Sequence, residues 1–185
     1  MNSRTLWWAV RILAVLVLAA GTSALAQDPP PPVHFSGVIN DYTPSTTTPA
    51  GPWEIRGPWT LTMKGASGKA EFSATLTMAL SDYTRTASNV DVTSGMTSRM
   101  QHTHHITVEE GAVTQIPGGF EVSGPVSITK DGSPAPLTAS TLVIDITGGT
   151  TVEFSNITLT FEGGTMGAPK HFGSQAIHGV VRTAK

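Results

Sequence analysis

The sequence predicts an all-β protein: a single small antiparallel β-barrel, with a β-sandwich as the alternative, of roughly eight to ten strands following a cleaved signal peptide. Two observations carry this expectation. Apolar and polar residues alternate with period two through most of the chain, whereas the 3.6-residue period of an amphipathic helix is nearly absent. Gly-rich stretches separate the alternating runs at hairpin spacing, and so many consecutive hairpins favour a barrel, because closure removes exposed strand edges.

Residues 1–26 read as an export signal: Arg4 and Arg11 lead into the apolar run Ile12 to Ala20, which ends at the small-x-small cleavage site Ala24-Leu25-Ala26. Cleavage leaves 159 residues, about one domain with a sizeable core. Residues 27–32 contain DPPPP, which can join neither a helix nor a central strand and so forms an extended spacer. The single barrel domain is then 33–185.

The strands follow in order. Val33 to Ile39 opens the series, and the irregular segment Tyr42 to Pro52 (YTPSTTTPAGP) reads as a long loop. Trp59, Leu61 and Met63 alternate with Thr60 and Thr62; Phe72, Ala74, Leu76, Met78 and Leu80 alternate with Ser73, Thr75 and Thr77; Gly65 to Gly68 turns the chain between them. The histidine segment RMQHTHHITVEEG (residues 99–111) and Ala112 to Ile116 follow. Phe120, Val122, Val126 and Ile128 form one apolar face, and Leu142, Ile144 and Ile146 another. Gly148-Gly149 leads to Val152 to Phe154, and a bulge at Ser155-Asn156 keeps Phe154 on the same face as Ile157, Leu159 and Phe161. Ala176 to Arg182 is the last strand.

Composition excludes several functions. Without the two signal arginines, nine Lys and Arg stand against 13 Asp and Glu, a net charge of −4 with neutral histidines. A nucleic-acid partner would want a basic face, so none is expected. The chain has no cysteine, which excludes disulfides, thiolate catalysis, Fe–S clusters, thiolate zinc sites and a lipid-modified N-terminal cysteine. The expected location is secreted or periplasmic, in a bacterium, with no stable membrane anchor after cleavage. There is no Gly-x-Ser-x-Gly elbow, and Glu109-Glu110 read as a solvated strand end.

Three of the six histidines lie within residues 102–105. Strand alternation puts His102, His104, Ile106 and Val108 on one face, and the apolar continuation marks that face as the inward one. Two imidazoles at alternate strand positions can converge on one divalent metal ion, which would also compensate the cost of bringing two polar rings inside. His171, in a Gly/Pro-rich loop before the last strand, is the candidate third metal ligand; His178, on a face with Val180, is the alternative. Met96 and Met100 lie near the histidines and offer a soft-metal option. The motif Gly-Pro-Trp occurs twice in GPWEIRGPW (residues 51–59), and Trp53 and Trp59 are expected either to plug the barrel or to stack on a ligand at its mouth. Trp53, Trp59 and His178 are therefore the candidate ligand contacts.

Gly95, His102, His104 and Glu109 resemble the first metal motif of cupins, with His171 after Pro169 in the place of the later histidine. The resemblance implies a β-barrel metalloenzyme with Glu109 among the ligands. Two departures stand beside it: the gap from glycine to histidine is one residue longer, and strand parity turns Glu109 away from the histidine pair. The residues thus suggest an exported binding module with a histidine site for a metal or small ligand. Alternatives are a cupin-like metal-dependent enzyme and a structural or surface-interaction domain. N-terminal sequencing of the exported protein is expected to begin at Gln27, whereas an exported species of the full 19.3 kDa would contradict cleavage.

Overall fold

Alternating side chains need an enclosed face and a wet one, and the chain provides both by curling one sheet on itself. A computed structural model describes residues 31–44, 46, 48, 52–65, 68–80, 101–135, 140–148, 155–163 and 168–184. Its strands are β1 (Val33–Thr43), β2 (Trp53–Met63), β3 (Lys69–Leu80), β4 (Gln101–Ile116), β5 (Gly119–Lys130), β6 (Ser133–Pro134), β7 (Ser140–Thr147), β8 (Asn156–Glu162) and β9 (Ile177–Ala184). A helical turn, α1 (Ala168–Phe172), lies between β8 and β9.

Eight strands form a closed antiparallel ring in the order β1-β2-β3-β4-β5-β7-β8-β9, and β9 pairs back onto β1. The two-residue β6 adds to β5 outside the ring. Each ring strand neighbours the next long strand in sequence, which is an up-and-down barrel. Cupins instead fold as jelly rolls built from Greek keys. The expected closed antiparallel barrel is thus present, with a strand order unlike that of cupins.

Three strands run longer than their sequence signals. Tyr42 and Thr43 pair with Glu54 and Trp53, so β1 runs two residues into the segment read as a long loop and β2 begins at Trp53, ahead of Trp59. The histidine segment and Ala112–Ile116 form the single strand β4, whose pairing with β5 shifts register between Thr107 and Ala112. Around that irregularity Glu109 and Glu110 are both exposed while Val108 and Gly111 are both buried, so the inward parity resets in mid-strand. Val152 to Phe154, expected as a strand, lies outside the described residues, as do Gly95, Met96 and Met100.

The described inward side chains form one apolar core. Trp59 is 1% exposed and stacks on Phe72 with ring centroids 6.4 Å apart. Its indole lies against Gly37, where a Cβ would come within 2.9 Å of the ring. Phe35 and Phe120 meet at 5.2 Å near the end where the β4–β5 hairpin turns. At the opposite end Phe161 and Phe172 stack at 4.4 Å, which seats α1 over the barrel mouth. Outward positions such as Ser36, Thr60, Ser73 and Thr107 are polar, and the core is one continuous apolar cluster.

Because Trp59 occupies the middle of that cluster, Trp59→Ala is expected to lower the unfolding free energy by about 3–5 kcal/mol, measured by equilibrium urea denaturation.

Candidate metal centre

β4 carries His102 and His104 inward at the end of the barrel beneath α1, 6% and 1% exposed. Thr103 between them faces the other way, and its backbone is held twice by the turn after β5. The Thr103 amide donates to Asp131 Oδ1 at 2.8 Å, and the Asp131 amide donates to the Thr103 carbonyl at 2.8 Å. Asp131 adopts a left-handed conformation (φ 48°), which aspartate tolerates better than most residues. The strand segment bearing both imidazoles is thereby clamped at its centre.

His171 arrives from the opposite side of the mouth on α1. Buried Ala168 and Phe172 anchor the turn, and Pro169 sits in its first turn, where a missing amide hydrogen costs nothing. Gly173 closes it: its amide donates to the Pro169 carbonyl at 3.0 Å, at a φ of 107° that suits glycine alone.

The three rings meet tip to tip. His171 Nε2 lies 2.9 Å from His104 Nε2 and 3.0 Å from His102 Nε2. One candidate ligand atom from each ring falls within 4.8 Å of the others, and no carboxylate of the described residues belongs to the group. A carbonyl fixes the tautomer of one ring. His104 Nδ1 is 2.8 Å from the Thr129 carbonyl, which only accepts, so Nδ1 carries the hydrogen and Nε2 presents a lone pair. This is the outer hydrogen bond that typically orients a metal-bound histidine. A tetrahedral site with bonds of 2.0–2.1 Å separates its nitrogens by about 3.3 Å, so admission of an ion needs each ring to retreat by only a few tenths of an ångström.

Electrostatics keeps the rings in their ligating form. Burial pushes His102 down to about 4 and His171 down to about 3, helped in both by neighbouring histidines and Lys130. Burial also lowers His104, opposed by its bond to Thr129. All three are neutral at pH 7, as coordination requires.

Trp53 is the remaining wall. Its ring stands edge-on to His102 at 5.0 Å and lies 6.0 Å from His171. Among the described residues its indole N–H is buried without a hydrogen-bond partner, as are the hydroxyls of Thr43 and Thr48, both amide atoms of Gln175 and, in the core, the indole N–H of Trp59. Thr43 is the β-pair partner of Trp53, and Thr48 and Gln175 meet at Gly173, two residues beyond His171. Each such orphan costs about 1–3 kcal/mol.

No protein-family model, curated protein or solved structure matches the chain.

Of the metal candidates, His102, His104 and His171 come together, and Glu109 is exposed on the outer side of β4. Of the candidate ligand contacts, Trp53 adjoins the trio and Trp59 lies in the core. His178 stands on the outer wall, its side chain 64% exposed and its Nδ1 2.9 Å from Asp41 Oδ2. The third place near the pair thus belongs to His171. Sequence reasoning missed the Thr129 carbonyl, which no side-chain pattern announces. It also missed the clamp at Asp131, although Asp131-Gly132 is a legible turn signal.

In the unfolded chain these histidines protonate near pH 6.5, whereas in the folded protein His102 stays neutral down to about pH 4. Unfolding then takes up protons between those values, so their contribution to stability is complete above pH 6.5 and is lost as pH falls toward 4. Thermal melts of metal-free protein are expected to show this decline, and His102→Ala/His104→Ala is expected to make it shallower.

Proposed function

We propose that this protein is an exported metal-binding β-barrel that holds one divalent transition-metal ion through the Nε2 atoms of His102, His104 and His171. The observation that carries this reading is the convergence of three Nε2 atoms at 2.9 and 3.0 Å with His104 locked as a lone-pair donor. Without an ion the trio is poorly satisfied: one ring N–H of His171 cannot donate well to both neighbours, and His104 Nε2 has no hydrogen to return. An ion that accepts all three lone pairs removes the conflict.

Neutral imidazoles select zinc, cobalt, nickel or copper(II) over magnesium and calcium, which prefer oxygen. Three protein ligands also resemble an open site more than a closed four-ligand structural one. Binding is nonetheless favoured over hydrolysis, because no carboxylate of the described residues joins the trio as general base: Asp131 is engaged by the Thr103 amide. Among the described residues the inward side chains pack on one another, which disfavours a large apolar ligand between them. Export rests on the signal-like residues 1–26.

Elemental analysis of protein purified without chelator and loaded with zinc is expected to find about one equivalent of metal. The expected content is none in His102→Ala/His104→Ala and strongly reduced in His171→Ala, with the melting temperature falling to the metal-free value. Copper(II) is also expected to quench the fluorescence of Trp53, whose ring lies 5.0 Å from His102. Equal metal content in parent and double variant would reject the centre.

A further inference from the structure

Resting on that reading, we propose that the loaded centre takes a small carboxylate or inorganic oxyanion as its fourth ligand, held by the indole N–H of Trp53 and the hydroxyl of Thr43. Two independent observations lead there. The first is charge: a dication bound by three neutral imidazoles keeps its full charge of about +2, because no carboxylate of the described residues joins the group. Lys130 is the strand partner of His104, and the neighbouring Asp131 carboxylate accepts from the Thr103 amide.

The second observation is the set of polar atoms without partners around the same mouth. Trp53, 7% exposed, offers an N–H that can only donate, and that N–H meets no acceptor among the described residues. Thr43, fully buried, stands beside it as its strand partner with an unpaired hydroxyl. Thr48 and Gln175 carry further unpaired polar atoms next to Gly173, on the His171 side. Buried donors are nearly always satisfied in folded proteins, and although Trp59 Nε1 in the core is unpartnered too, four of the five described residues that carry such atoms gather at this mouth, which points to a partner beyond the described residues. An anion with several acceptor oxygens answers both needs at once: it neutralises the ion and accepts from the indole and the hydroxyl. A neutral apolar ligand answers neither. These polar atoms are withdrawn from solvent, so the anion must displace the side chains that close this end.

The probe is the cobalt(II)-loaded full-length mature protein in an amine-sulfonate buffer, titrated with acetate, hydrogencarbonate and phosphate while the visible d–d bands are recorded. At least one of the three is expected to change the bands saturably. In Trp53→Phe, which keeps the ring and removes the N–H, the apparent Kd is expected to rise at least tenfold with the cobalt content unchanged. Thr43→Val, nearly isosteric, is expected to move it in the same direction and serves as the test where Trp53→Phe does not fold. Cobalt bound with bands indifferent to all three anions overturns the anion site and leaves the metal centre standing. An anion response of equal strength in the parent and the folded variants overturns the roles of Trp53 and Thr43. Failure to bind cobalt overturns both readings.

Discussion

The hydrogen bonding of β9 to β1 is the constraint on which the rest of the molecule depends. An open sheet could leave a polar inward residue at its margin, but a closed ring desolvates every inward position along its length. Inside such a wall an imidazole must find a partner from the chain or from an ion. Most inward positions are apolar, and the two strand histidines sit at the rim, where a single helical turn can bring a third ring to them. Closure thus confines the chemistry to one end of the barrel.

Division of labour between the two ends follows from the same geometry. The end around Phe35 and Phe120 is sealed by aromatic packing. At the other end Phe172 stacks on Phe161 and contacts His104 edge-on at 5.0 Å, so the residue that plugs the mouth also braces the trio. Stability and ligation share side chains there. Four of the five described residues with unpartnered buried polar atoms, Thr43, Thr48, Trp53 and Gln175, lie at this end, and Trp59 in the core is the fifth.

Much of the architecture was legible because period-two alternation reports the enclosed face directly, and hairpin glycines mark where it turns. Parity alone placed His102 and His104 inward and Glu109 outward, and the structure agrees on all three. Where the reading fell short, the cause was non-local. The mid-strand irregularity of β4 hid the continuity of the histidine segment with Ala112–Ile116, because a parity reset looks like a strand end. Strand propensity could not extend β2 back to Trp53 past Gly57 and Pro58; cross-strand pairing with β1 does so. The choice of His171 over His178 depended on the barrel's closure, which turns His178 to solvent and folds α1 over the mouth.

The placement of His171 has a kinetic meaning. It lies 69 and 67 residues from the histidines it meets, and β9 begins six residues after it. The trio is therefore a long-range contact that forms only once α1 has packed on β8, so an ion bound by all three rings would come late to folding and not template its first steps. The reverse passage is equally restricted. An ion held as proposed, from both sides of the mouth, would depart readily only when α1 lifts, and α1 is held down by the Phe172–Phe161 stack. The residence time of such an ion would then be governed by an aromatic contact that never touches it.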